Sequence, residues 1–312
     1  MKWILDTDIG DDIDDLYALG YAIAKNLDII GVTTVFRSCE LRAKLAKYSA
    51  LAFGKDIPVY AGEDQPINTA VDAYCKPQRW LCDELYKNYI ESGEKWLPQM
   101  LSEAYNMKVE SLSAVDFMAE CAKKYGKDLG IIAIGPLTNL ARAIEKYPKE
   151  MNSIGVFYIM GGDTVNLKPE WNAKIDTDAY KIVYSSKVSK YVVGSNQTWS
   201  NAGFDYEFLL KGITSSSNAL KIEKDSLVKW KQQPLYVTKN PCMHDVIVVD
   251  AVVNAQQYVF EKKFIKVVTE GELKGVTMVT NCENEADGAV CVLVEMSENQ
   301  FKNNFISVMK KL

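Results

Sequence analysis

Residues 2–26 read KWILDTDIGDDIDDLYALGYAIAKN. Lys2–Asp6 has the apolar character of a short strand. Asp14–Asn26 places Leu16, Leu19 and Ile23, with Leu27 beyond, at helical spacing. Between and within them, Asp6, Asp8, Asp11, Asp12, Asp14 and Asp15 put six aspartates into ten positions. A strand that runs through an acidic loop into an amphipathic helix sets the theme for the rest of the chain.

Outward from this stretch, strand-like and helix-like runs alternate. Asp28–Val35 reads as a strand, Glu40–Phe53 as a helix, and Pro58–Tyr60 as a short strand. Ser111–Lys124 is helical. Leu129–Ile134 and Ser153–Met160 are apolar runs of the kind buried on both faces of a sheet. Gly135-Pro136 opens a helix, because proline suits a first turn. Tyr191–Val193 reads as a strand, residues 205–232 as helix, and His244–Ala255 as an apolar helix. Phe264–Thr269 and Gly275–Val279 suggest a hairpin, and Val290–Glu295 a last strand before a terminal helix. Such alternation predicts an α/β fold, a doubly wound, mostly parallel open sheet with helices on both faces. No Pro/Gly/Ser linker interrupts it, so one domain over 1–312 is expected. Tyr74–Met107, with Trp80 and Trp96, has weak periodicity and reads as an insertion over the site.

Composition narrows the class. A net charge of −5 disfavours a nucleic-acid partner. No apolar run is long enough to span a bilayer, and Trp3-Ile4-Leu5 meets aspartates too soon for a secretory leader. The seven cysteines form no CxxC pair, so neither a disulfide framework nor a zinc site is indicated. A soluble, cytoplasmic protein is expected.

The aspartate loop sits where strand one ends, the position at which open α/β sheets bind ligands. Crowded carboxylates repel and raise one another's pKa. A divalent cation reverses that penalty, and all-oxygen donors favour Ca²⁺ or Mg²⁺. Helix capping accounts for one or two of the aspartates only. An EF-hand fails because Tyr17 stands where that loop needs its bidentate glutamate. No P-loop motif accompanies the cluster.

LDTDIGDDIDDLYAL resembles the N-terminal DxDPGxDDxxA fingerprint of the inosine-uridine-preferring nucleoside hydrolases. GVTTV (31–35), PVYAG (58–62), IAIGPLTNLARAI (132–144), MGGD (160–163), PEWNAKIDTDA (169–179), HD (244–245) and TEGELKGVTMV (269–279) match family segments in the same order. The resemblance implies hydrolysis of the N-glycosidic bond of ribonucleosides with a bound Ca²⁺. It implies Asp8 as metal ligand and general base on the metal-bound water, Asp15 and Asp245 as further metal ligands, and the Ile134 carbonyl as another. Asp14, Asn166, Glu170 and Asn172 would bind the ribose hydroxyls, with Trp171 beneath the sugar. His244, the single histidine, would serve the leaving base. The family's usual assembly implies a homodimer or homotetramer.

Departures fall on the base side. The loop GDDIDD is two residues longer than the family's. Alignment on the helix selects Asp14 and Asp15; alignment on the strand brings in Asp12. The helix register is the one expected, since an apolar face fixes position better than a loop. Phe36-Arg37-Ser38 replaces the family's Gly-Asn, and Arg37 could face a phosphate or carboxylate or make a surface salt bridge. Val246 replaces a proline. Two alternatives stay open: hydrolysis of another N-ribosyl compound, and a non-catalytic member that binds calcium and ribose.

Overall fold

A computed structural model describes residues 1–10, 12–68, 103–212, 217–232, 236–281 and 283–309. The opening run forms strand β1 (Lys2–Thr7), and the acidic loop leads into helix α1 (Asp14–Ala24). There follow β2 (Ile29–Thr34), α2 (Cys39–Ala52), β3 (Val59–Ala61), α3 (Ala114–Tyr125), β4 (Leu129–Ala133), α4 (Thr138–Lys146) and α5 (Pro148–Met151). Next come β5 (Val156–Met160), α6 (Trp171–Ile175), α7 (Thr177–Ser185), β6 (Ser189–Val193), α8 (Ser195–Asn201), α9 (Tyr206–Gly212), α10 (Asn218–Gln232) and α11 (His244–Val253). The described chain closes with β7 (Tyr258–Val267), β8 (Thr277–Thr280), β9 (Gly288–Met296) and α12 (Glu298–Met309).

The nine strands form one sheet in the order β3-β2-β1-β4-β5-β6-β9-β7-β8. It is parallel from β3 through β9, and β7 joins β9 and β8 by antiparallel pairing. Side chains alternate across it. Trp3, Leu5 and Ile132 face a core built with α1, α2, α10, α11 and α12, whereas Ile4, Ile131 and Ala133 face one built with α3, α4 and α7. Burial on both faces explains why β1, β4 and β5 read as unbroken apolar runs. The sequence order reverses between β1 and β4, so their carboxyl ends open a crevice.

The structure departs from the sequence expectation in several places. The 205–232 stretch is two helices, α9 and α10. The helix expected at Gly135-Pro136 begins at Thr138, after Pro136 and Leu137 have turned the chain. The hairpin strand β7 starts at Tyr258 because it pairs along its length with β9 as well. Helices α6, α7 and α8 were not anticipated. Within Tyr74–Met107, residues 74–102 lie outside the described residues, as do Trp80 and Trp96. No described helix is long and apolar enough to cross a membrane.

Helix α11 is anchored by Asp250, which is fully buried. Its Oδ1 accepts from Asn254 Nδ2 at 2.6 Å and from the Tyr21 hydroxyl, and its Oδ2 from the Tyr258 hydroxyl at 2.5 Å and Asn304 Nδ2 at 3.0 Å. These donors tie α11 to α1, β7 and α12. Asp250→Ala leaves buried donors unsatisfied, and a loss of roughly 3 kcal/mol of unfolding free energy is expected. A lower urea midpoint at unchanged slope checks it.

Candidate active site

Loops at the carboxyl ends of β1, β2, β4, β5 and β6 contribute to one region. Asp8 follows β1, Phe36–Ser38 follow β2, and Ile134-Gly135 follow β4. Gly161–Asp163 follow β5, and α8 follows β6. The first turn of α11 brings His244 and Asp245 to the same end.

Asp14 and Asp15 stand in the first turn of α1, where the helix dipole favours negative charge. Asp14, Asp15 and Asp245 each offer a carboxylate oxygen, and the three oxygens lie within 4.8 Å of one another. All three residues are buried. Asp14 Oδ2 accepts from the Asp245 backbone amide at 3.2 Å. Asp15 Oδ1 accepts from the Thr7 hydroxyl, which itself accepts from Ile9 N at 3.1 Å. Burial raises the carboxyl of Asp14, followed by the charge of Asp12; burial raises Asp15, followed by Asp8 and Asp14. Asp245 is raised by burial, then by Asp14, Asp15, Asp8 and Asp12. Clustered, buried and mutually repelling oxygens could hold a hard cation.

Asp8 is buried and stands outside that triplet. Its carboxylate lies against the β4 exit, where a Cβ on Gly135 would come within 2.9 Å of Asp8 Oδ1. Glycine there leaves room for the acid against the backbone that follows Ile134. That carbonyl accepts from Asn172 Nδ2 at 2.9 Å, and a carbonyl keeps a second lone pair. Asp12 is turned aside: its Oδ1 accepts from Trp230 Nε1 at 2.8 Å and from Ile13 N at 2.7 Å. Asp14 and Asp15, the pair that the helix register selects, lie together with Asp245, and Asp12 is not among the three. Asp11 lies outside the described residues.

The residues expected to face the ribose are partly committed to structure. Glu170 caps α6, accepting from Asn172 N and Ala173 N at 3.0 Å each and from Gly162 N at 3.1 Å. Burial raises its carboxyl, and these amides oppose the rise. Asn166 folds onto Asp163, with Nδ2 donating to Oδ2 at 3.0 Å. Trp171 is 38% exposed at the start of α6.

His244 Nδ1 meets the Thr198 hydroxyl at 2.5 Å, and the exposed Trp199 ring packs edge-on to the imidazole, centroids 4.6 Å apart. Burial pushes the imidazole down to about 4, against the opposing charge of Asp12. The ring is neutral at pH 7; the Thr198 hydroxyl also lies 3.2 Å from Ser195 O, and its single proton serves either that carbonyl or Nδ1, the second choice placing the imidazole proton on Nε2.

Sequence reasoning passed over Thr7, Thr198, Asp163 and Arg42. Only Arg42 carried a usable signal, since helical spacing sets it on the same face as Cys39 and Ala46. Arg37 is half-buried, and its guanidinium lies 5.3 Å from the Phe36 ring centroid.

Comparison with known proteins places these residues in context. The family model described as inosine-uridine preferring nucleoside hydrolase matches residues 3–303. Uridine nucleosidase 1 of Arabidopsis thaliana is 29% identical over 300 residues, covering 89% of this chain and 81% of the relative. Among solved structures, a plant nucleoside hydrolase, PpNRh1, superposes with a TM-score of 0.78 at 22% identity, over 99% of this chain and 98% of that one. A purine-preferring ribonucleoside hydrolase from Gardnerella vaginalis gives 0.75 at 23% identity, over 100% and 98%. These two structures establish the shared fold.

Proposed function

The chain belongs to the inosine-uridine preferring nucleoside hydrolase family, and on that premise we propose that it splits ribonucleosides to ribose and free base with calcium held in the carboxylate pocket and Asp8 as general base. The observation that carries this reading is the convergence of Asp14, Asp15 and Asp245 within 4.8 Å at the β1/β4 crevice. Asp15, Asp245, Asp8 and the Ile134 carbonyl would hold the ion, and Asp14 stands close enough to join them or to receive a ribose hydroxyl. The donors fit: carboxylates and a carbonyl are oxygen ligands, and calcium takes six to eight. Bound there, calcium supplies a Lewis acid that acidifies water and aligns sugar hydroxyls.

The chain's own groups account for the rest. Asp8 removes a proton from the attacking water. As the bond to the base breaks, positive charge grows on the sugar ring, and the surrounding carboxylates stabilise it. Glu170, Asn172 and Asn166 hold the ribose, so that contacts tightening in the transition state lower the barrier. His244 offers Nε2–H to the departing base as a neutral donor.

Ribose release from a panel containing uridine, inosine and other N-ribosyl compounds, with and without chelator, tests the proposal. Release from some member, abolished by chelation and restored by calcium, is expected. Ribose binding without release from any member would make the chain a binding protein instead. The role of His244 has its own test. His244→Ala is expected to slow uridine or inosine cleavage roughly 10²-fold, while cleavage of p-nitrophenyl riboside, whose leaving group needs no proton, stays near wild type.

A further inference from the structure

We propose that Arg42 is a cation built permanently beneath the aspartate loop, a positioning residue that holds the carboxylate pocket together when no divalent ion fills it. The inference deepens the reading above, and it rests on that reading only for the pocket's purpose.

Arg42 on α2 is 1% exposed, among the largest fully buried side chains described. A buried guanidinium is costly unless its donors are met. Here Nε donates to Phe36 O at 2.7 Å and Arg37 O at 2.9 Å, and Nη1 donates to Ile9 O at 3.0 Å and to Asp8 O. Four carbonyls from two loops thus converge on one side chain. Two of them belong to a strained segment: Phe36, Arg37 and Ser38 have φ of 66°, 50° and 49°. Each such residue costs roughly 1–2 kcal/mol, and the conformation persists only where its surroundings over-determine it. Clamping by Arg42 supplies part of that determination, beside the amides of Phe36 and Arg37, which donate to Glu63 O at 2.9 Å and Asp64 O at 2.8 Å.

The clamp reaches the carboxylates by a short route. Ile9 is held through its carbonyl by Arg42 and through its amide by the Thr7 hydroxyl, which donates to Asp15. Asp8 is held by its own carbonyl.

Thermal melting in excess chelator tests the assignment on the full chain, with neither metal nor substrate present. Arg42→Met is expected to melt about 5 °C or more below wild type. Asp15→Asn is expected to raise the melting temperature of Arg42→Met by more than it raises that of the wild type. An equal change in both backgrounds would reduce Arg42 to a packing role and overturn the proposal. Arg42→Lys keeps the charge without the fork. It is expected to melt closer to wild type than Arg42→Met, or to fold where that variant does not; equal instability of the two, including failure of both to fold, also overturns the proposal. A wild type indifferent to calcium would sink the metal reading and leave these results intact.

Discussion

Asp8→Asn is expected to release ribose from its nucleoside substrate roughly 10²–10⁴-fold more slowly than wild type, the range a positioned general base supplies. The amide retains an oxygen that can face a cation, and it cannot take a proton. Asp8 is buried against Gly135 at the crevice, with its backbone carbonyl clamped by Arg42. Asparagine is nearly isosteric, so the melting temperature should move little and the loss should fall on kcat. A reducing-sugar assay at saturating calcium reads the rate. Wild-type turnover by this variant would remove Asp8 from the mechanism and leave the attacking water without an assigned base.

Removal of the metal should be as severe. Dialysis against chelator is expected to abolish turnover. Calcium at about a hundredfold excess over its Kd should then restore turnover and add about 2.7 kcal/mol of stability, a rise of roughly 5 °C in melting temperature. Asp245→Asn should weaken calcium binding at least roughly tenfold by calorimetry, because it takes one charge from a buried three-carboxylate cluster. The variant is also informative without calcium. Asp245 is raised by burial and by Asp14, Asp15 and Asp8, so removing its charge should relieve repulsion and raise the melting point of the metal-free protein. Identical calcium affinity in wild type and variant would place the ion elsewhere.

The sheet and the aspartate loop were legible because their physics is local. Burial on both faces writes β1, β4 and β5 as continuous apolar runs, and the apolar face of α1 fixed Asp14 and Asp15 in register. Helices α6 and α7 were missed because Asp176 breaks the periodicity between them, where its carboxylate accepts from Ala179 N and caps α7. Glu170 was assigned to ribose; the structure adds a capping duty that a polar turn would share, a double role that spacing cannot display. Arg42 was passed over because Glu40, Lys44 and Lys47 lie close to it on α2 and make a charged residue there look solvated. Its helical spacing hints at the buried face, but the four carbonyls that receive it, two of them distant in sequence, are visible only in the fold.

The strand order carries a consequence for biogenesis. Asp8 follows the first strand, Asp15 stands in the first turn of α1, Ile134 follows the fourth strand, and Asp245 belongs to α11. A nascent chain can lay down six parallel strands while it is still being translated, yet the buried acidic cluster is incomplete until α11 emerges from the ribosome. Its assembly is thereby deferred to a late stage of synthesis, and truncated products ending before residue 245 lack its third carboxylate.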